Sequence, residues 1–353
     1  MLAKTWLARA GTCPLTIRLA SQGIYQNPMK SLMKVFLLHC EQWYDIHISV
    51  PLPVLKSLMP AKNRLPRLQK LSLDVELYEH LDILECAPRL RWLKLALEFD
   101  PFMVKVPWNQ IEYLNMGTPE IDHTLKLLRA TPNLEECVIK LTSSEPRQSH
   151  SSVQLLHLRS MTISGHPTHF FDTTLLLPKL QEISIESWNR WTATSQLILL
   201  LSQCSLAKLS LNLGSAPSDN DMIQILQACP LLMQLDVLWY TPKCMTTSFF
   251  AQFTYRRGPE NSTTQQLVPM LHTMNIDSSG TEFNIIDFAD AIQSWIISNS
   301  EDPVSDHITG LQTVKIHCRS AYYNPDLATL SQLHQLKETG LEISFLRGGK
   351  DIL

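Results

Sequence analysis

The residues that could support chemistry are few and widely scattered. His166 and His169, in "GHPTHFF", are a closely spaced imidazole pair. Two such ligands begin a zinc site, but a site needs a third and usually a fourth. Pro167 separates the two histidines and no further ligand is adjacent, so no metal is expected. The eight cysteines (13, 40, 86, 137, 204, 229, 244 and 318) never fall at C-x-x-C spacing, which removes the usual zinc and redox signatures. Cys86, Cys204 and Cys229 each end an apolar run and read as small core residues in equivalent positions. Thiols used in this way suit a reducing compartment, the cytoplasm or nucleus. Adjacent carboxylates such as Glu135 and Glu136 sit at spacer positions where a solvated face accounts for them. There is no G-x-S-x-G, no phosphate loop, no G-x-G-x-x-G and no H-E-x-x-H, and the 11 glycines are scattered. The expectation is a non-enzyme without a cofactor.

A more informative constellation lies in short strands, where alternate residues between buried leucines must point outward. The outward residues read from the sequence are Lys70, Ser72 and Asp74; Trp92, Lys94 and Ala96; Tyr113, Asn115 and Gly117; and Glu136, Val138 and Lys140. They continue with Ser160, Thr162 and Ser164; Glu182, Ser184 and Glu186; Lys208, Ser210 and Asn212; and Gln234, Asp236 and Leu238. Partner binding is assigned to Lys70, Ser72, Trp92, Lys94, Tyr113, Asn115, Glu136, Thr162, Glu182, Ser184, Lys208 and Asp236. Mixed charge with small side chains and two aromatics suits a protein partner better than a polyanion or a lipid. Trp188, Trp191, Trp239 and Tyr240 lie just beyond the strands. They are either rim anchors for a partner or covers for the turns between strand and helix.

The elements that must position these residues form a repeat. A phrase of apolar, two spacers, apolar, one spacer, apolar occurs as "LQKLSL" (68–73), "LRWLKL" (90–95), "IEYLNM" (111–116), "LEECVI" (134–139) and "LRSMTI" (158–163). It occurs again as "LQEISI" (180–185), "LAKLSL" (206–211), "LMQLDV" (232–237), "LHTMNI" (271–276) and "LQTVKI" (311–316), with "LEISFL" (341–346) a degenerate last copy. The intervals between the ten clear copies are 22, 21, 23, 24, 22, 26, 26, 39 and 40 residues. The first five lie in the range of about 20–29 residues typical of leucine-rich repeats. A proline precedes many copies, as in "LPRL", "APRL", "TPNL", "LPKL", "CPLL" and "VPML", and closes the preceding element.

Between phrases the apolar period becomes helical. Leu77, Leu81 and Leu84 form one stripe, Ile121, Leu125 and Leu128 another, and Leu197, Leu200, Leu201 and Cys204 a third. Thr118-Pro119 is a candidate helix start, and Ser218 with Asp221 a candidate capping box. The expected fold is α/β: an irregular leucine-rich-repeat solenoid, a horseshoe with a parallel concave sheet and helices on the convex side. An ordinary α/β protein of alternating strands and helices would give the same change of period, but not ten copies of one phrase. The Asn or Cys that follows the phrase in regular repeats is absent, hence the expected irregularity.

Residues 1–64 match the repeat poorly and read as divergent N-terminal cap repeats, with 65–353 as the solenoid and the whole as one continuous domain. Within the cap, "AKTWLARAG" is predicted helical, while "PLTIRL" and "WYDIHISV" are predicted strands. The polar stretches 142–152, 255–266 and 298–306 are predicted loops.

Thirty basic against 33 acidic residues exclude the strongly basic balance of a general nucleic-acid binder. The densest apolar run, "LILLL" at 197–201, is far shorter than the roughly 20 residues that span a bilayer. The first acidic residue is Glu41, and a basic start of that kind resembles a transit peptide. "CPLTIRL" within it reads instead as a buried strand. An intracellular protein, cytoplasmic or nuclear, is expected, with no nucleic acid and no membrane as partner.

The order of "WLARAGTCPLTIRL", "WYDIHISVPLPVLKSL", "LPRLQKLSL", "APRLRWLKL", "VPWNQIEYL" and "LLRATPNLEECVIKL" resembles the mushroom-type fungal F-box and leucine-rich-repeat family, best over residues 6–240. That resemblance implies repeats that choose the substrate of a cullin-based ubiquitin ligase, with an N-terminal F-box that docks on its adaptor. The sequence starts within the region that follows the F-box in that family, and the nearest string to an F-box opening, "PLPVLKSL" at 51–58, belongs to the repeat side. Adaptor binding is therefore expected only if an F-box exists upstream. A free-standing repeat scaffold with no ubiquitin role is the alternative.

Overall fold

A computed structural model of the chain describes residues 2–21, 26–75, 79–98, 100–118, 120–142, 152–188, 191–215, 217–239, 245–254, 267–278, 285–301, 310–319 and 325–353. The fold is α/β with a mostly parallel sheet architecture. Two compact units are present, residues 1–165 with 173–176, and residues 166–172 with 177–353.

The first unit opens with α1 (Leu2–Ala10), β1 (Leu15–Ala20), α2 (Gln26–Leu37), β2 (Trp43–Ser49) and the short α3 (Leu52–Leu55). It continues with β3 (Lys70–Asp74), β4 (Trp92–Glu98), β5 (Tyr113–Thr118), α4 (Ile121–Ala130), β6 (Glu136–Leu141), β7 (Ser152–Gln154), β8 (Ser160–Gly165) and β9 (Thr174–Leu176). Strands β1 to β6 and β8 pair in sequence order, each parallel to its neighbour. The strands expected within residues 1–64 are β1 and β2, and β2 pairs with β3, so the sheet runs uninterrupted across residue 64.

The second unit contains β10 (Glu182–Ser187), α5 (Thr194–Leu201), β11 (Lys208–Leu213), α6 (Asp219–Gln227), β12 (Gln234–Trp239), α7 (Thr247–Phe253) and β13 (Thr273–Ser278). It ends with α8 (Ile285–Glu301), β14 (Thr313–Cys318), α9 (Leu327–Glu338), β15 (Glu342–Arg347) and β16 (Lys350–Asp351). Strands β10 to β15 are parallel, and each of helices α5 to α8 packs on the one that follows it. Parallel strands require a crossover of a dozen residues or so, and these helices supply it. The long intervals of 39 and 40 residues accommodate α7 and the 17-residue α8.

The repeated phrase builds one local structure over and over. In "LPRL", "APRL", "TPNL", "LPKL", "CPLL" and "VPML" the proline sits second in a four-residue turn. The amide of the fourth residue (Leu68, Leu90, Leu134, Leu180, Leu232 or Leu271) donates to the carbonyl of the first. Proline suits that place because its fixed φ matches the turn and its missing N–H is not needed there. One carbonyl of the phrase then accepts two successive amides of the next copy. Gln69 O receives Arg91 N and Trp92 N at 3.0 Å each, and the pattern repeats at Arg91, Glu112, Glu135, Gln181, Ala207, Met233 and His272. The three apolar positions in all ten copies are buried. Each large aliphatic buried in this way contributes about 1.5–3 kcal/mol.

Several sequence expectations need correction. Among the described residues, no helix covers Leu81 and Leu84 of the expected Leu77, Leu81 and Leu84 stripe. Leu77 lies outside the described residues, and Leu81 makes a parallel bridge to Val104, with Leu81 N to Met103 O and Lys105 N to Leu81 O both 2.8 Å. Leu81, Ile83 and Leu84 are buried by extended and turn backbone. Ile83 falls off the helical stripe, which is the sign that the spacing was not helical. The start of α4 is capped by Glu120, without a side-chain bond, because Thr118 ends β5; Pro119 lies outside the described residues. The capping box at Ser218 and Asp221 is present in both directions. Of the three expected loops, residues 143–151, 255–266 and 302–306 lie outside the described residues, while 298–301 belong to α8. Cys86 is exposed, whereas Cys229 is buried and Cys204 partly so. Among the described residues Cys86 sits in a turn, whereas Cys204 and Cys229 follow closely on helices α5 and α6.

The last strand pair differs from the rest. Strand β16 turns back antiparallel on β15, pairing Arg347 with Lys350 and Leu346 with Asp351. Gly348 and Gly349 make the turn with φ of 54° and 83°, a conformation that glycine adopts without strain. The Asp351 carboxylate accepts the Phe345 amide at 3.2 Å, and Ile352 N donates to Phe345 O at 3.0 Å.

Candidate binding surface

The outward residues form cross-strand rows on the face of the sheet opposite the buried leucines. In the first unit one row runs Asp45, Lys70, Trp92, Tyr113, Glu136, Ser160, and a second runs Arg18, His47, Ser72, Lys94, Asn115, Val138, Thr162. In the second unit the rows run Glu182, Lys208, Gln234, Thr273, Thr313 and Ser184, Ser210, Asp236, Asn275, Lys315. Every residue singled out in the sequence for partner binding occupies one of these rows. Lys70, Glu136 and Glu182 are exposed, and Trp92, Lys94, Tyr113, Asn115, Thr162, Ser184, Lys208 and Asp236 are half-buried. Ser72 departs from expectation: it points to the same face but is only 5% exposed. Its side chain is short, and longer neighbours flank it in its row and along its strand.

Among the described residues, a hollow lies on this face in each unit. The second unit's hollow, about 460 Å³, is lined by residues that include Glu186, Asp236, Asn275, Asp277, Lys315 and His317. Its polar groups largely satisfy one another. Gln234 Nε2 donates to both Asp236 oxygens at 3.1 and 2.9 Å, and Asn275 Nδ2 donates to Asp236 Oδ1 at 2.5 Å. Arg319 grips Asp277 with two bonds of 2.9 Å, while His317 Nδ1 lies 3.3 Å from the same carboxylate. The first unit's hollow, about 390 Å³, is lined by Arg18, Asp45, His47, Lys70, Ser72, Trp92 and Lys94. On its border Trp92 stacks on Tyr113.

The chain matches no known family model and no curated protein. What it binds must therefore be argued from these surfaces. Among the described residues no group of three or more His, Cys, Asp or Glu side chains could hold a metal ion. His169 instead faces Asp172, with Nδ1 3.1 Å from Oδ2. No helix among the described residues is long and apolar enough to cross a membrane.

The four aromatics beyond the strands divide. Trp188 is 64% exposed and is the one candidate rim anchor among those described. Trp191 is buried, with Phe171 edge-on at 5.7 Å, and Trp239 is buried as well. Strict alternation through Leu235, Val237 and Trp239 already places the last of these on the core side. Tyr240 lies outside the described residues. Sequence reasoning did not carry the rows into β1, β2, β13 and β14, so Arg18, Asp45, His47, Asn275, Asp277, Lys315 and His317 were missed. The signal was available for the last four, since "LHTMNI" and "LQTVKI" belong to the same set of phrases.

Proposed function

We propose that this chain is an irregular leucine-rich-repeat solenoid that binds a protein partner across the open face of its strands and catalyses nothing. The observation that carries this reading is the recurrence of one turn-and-strand unit, which sets unlike side chains in rows at the constant spacing of a parallel sheet. A partner can touch many such strands at once, and tryptophan and tyrosine are favoured anchors within contacts of this kind. The resemblance to the F-box and leucine-rich-repeat family supports a more specific role, the substrate-recognition part of an intracellular ubiquitin-ligase subunit. The test is replacement of Trp92 and Tyr113 together by Ala, with affinity for a purified partner as the readout. A loss of at least about tenfold is expected, since truncating a true hot spot costs about 2 kcal/mol or more. Unchanged affinity refutes the assignment, and if removal of residues 255–266 abolishes binding instead, the contact lies at the rim.

The free-standing scaffold is the second reading, and one observation favours it. Within residues 1–64, β1 and β2 belong to the same sheet as β3, which supports reading this segment as divergent repeats in place of an adaptor-docking element. The sequence given is accordingly expected not to bind a purified ubiquitin-ligase adaptor in a pull-down. Stoichiometric binding would overturn that assignment of residues 1–64.

A further inference from the structure

The hollow in the first unit differs from its counterpart in one respect that bears on ligand chemistry. Arg18, Lys70 and Lys94 all line it, and none of the three makes an ion pair or a side-chain hydrogen bond among the described residues. The one carboxylate in the lining is Asp45, and the one imidazole is His47. Lys70 and Lys94 flank Ser72, the first two places back along the same strand, the second directly across on β4. Register sets Asp45 directly across from Lys70, and it leaves Arg18 and Lys94 with no carboxylate opposite them in their row. One carboxylate against three cations leaves the lining with a net positive balance that suits an anion.

Ser72 adds an independent observation. Its residue is 95% buried, since only 5% is exposed, and its Oγ has no hydrogen-bond partner among the described residues. A buried hydroxyl without a partner forfeits the hydrogen bonds it made to water, so each such group calls for an explanation. Ser72 belongs to the wall of the hollow, which the three cations also line. A donor in that wall, in a hollow also lined by a guanidinium and two ammonium groups, matches a group that is both multiply charged and rich in acceptors.

We propose that the first unit's hollow binds a phosphate monoester. Three cations exceed what a single carboxylate needs, and they suit a group carrying between one and two negative charges near neutral pH and three acceptor oxygens. Charge-assisted hydrogen bonds from Arg and Lys are roughly twice as strong as neutral ones, and Ser72 Oγ supplies a further donor. Trp92, which also lines the hollow, offers an apolar face to whatever carries the phosphate. This inference stands on the hollow alone and does not require that a protein docks on the open face.

The experiment is calorimetric titration of the full chain with inorganic phosphate and, separately, with phenyl phosphate, at low and at moderate salt. Single-site saturable binding is expected for at least one probe, weaker at higher salt because the attraction is between exposed charges. Lys70→Gln combined with Lys94→Gln should weaken it by about tenfold or more, and Ser72→Ala should weaken it to a smaller degree. Lys315→Gln, in the other hollow, should leave it unchanged. Should the double lysine variant fail to fold, Arg18→Gln on an exposed position of β1 takes its place. Absence of saturable binding by both probes overturns the proposal, and so does binding that survives loss of these cations or is lost equally in Lys315→Gln.

Discussion

Trp92 and Tyr113 lie directly opposite one another on β4 and β5, with ring centroids 4.7 Å apart and planes inclined by 7°. Their strands belong to consecutive phrases and fix the Cα atoms at the spacing of a parallel pair, so the stack follows from register. A stacked aromatic pair is worth about 0.5–1.5 kcal/mol beyond the area it buries. A double-mutant cycle of Trp92→Ala and Tyr113→Ala, read by denaturant unfolding, should give a coupling energy of that size. A coupling near zero would mean that the rings do not stack in solution.

The alternation within each phrase predicts opposite outcomes at neighbouring positions. Leu93 is fully buried and Lys94 half-buried beside it. Leu93→Ala should cost about 2–5 kcal/mol, as should Leu209→Ala in the second unit, while Lys94→Ala should cost little. Equal losses at 93 and 94, measured by chemical denaturation, would refute the register.

Thiol reactivity should separate the cysteines by environment. Burial pushes the Cys204 thiol up to about 11 and Cys229 up to about 12, and raises Cys137 as well. Thiolate is the reactive form, so these three should label slowly at neutral pH. Exposed Cys13 and Cys86 should label first, as followed by mass spectrometry of the digested protein. Rapid labelling of Cys137 in the folded protein would contradict its placement in the core.

Lys62 bridges Asp82 and Glu85, reaching Glu85 at 3.0 Å, and thereby pins the turn that replaces the expected helix. Hydrogen bonds to Asp82 and Glu85 raise the Lys62 ammonium from 10.5 to about 12, and the same bonds lower both carboxyls from their ordinary 3.8 and 4.5. The lysine contribution is complete below 10.5 and fades as pH rises through about 12. The carboxylate contributions are complete above 4.5 and fade as pH falls through the lowered values. The stability difference between the wild type and Lys62→Met should thus be flat across the neutral range and shrink at both extremes. A maximum in acid, in a pH series of melting temperatures, would contradict the bridge.

Strands were legible in the sequence wherever the six-residue phrase occurred, because three apolar positions at fixed spacing leave a short strand no other way to bury them all. Helices α4 and α5 were legible for the same reason at the other period. The link after β3 was not, because Leu81, Ile83 and Leu84 can be buried by turn backbone as well as by a helix, and what decides is the bridge to Val104, more than 20 residues away. The rows of outward residues followed from alternation alone. Which members of a row are shielded did not follow, since that depends on neighbours contributed by other copies. Ser72 lies low because His47 and Lys94 stand on either side of it, and no inspection of "LQKLSL" could reveal that.

The two-residue strand β16 bears on how the protein behaves at high concentration. A parallel sheet leaves its final strand as a row of unsatisfied backbone groups onto which another molecule can add, strand upon strand. Here β15 is covered at its far half by the reversed β16, and the Asp351 carboxylate takes up the Phe345 amide. The covering segment also carries Lys350 and Asp351, both exposed, which an incoming strand would have to desolvate. That hairpin occupies the edge of β15 over its last residues, so a second molecule adding a strand there would first have to displace it.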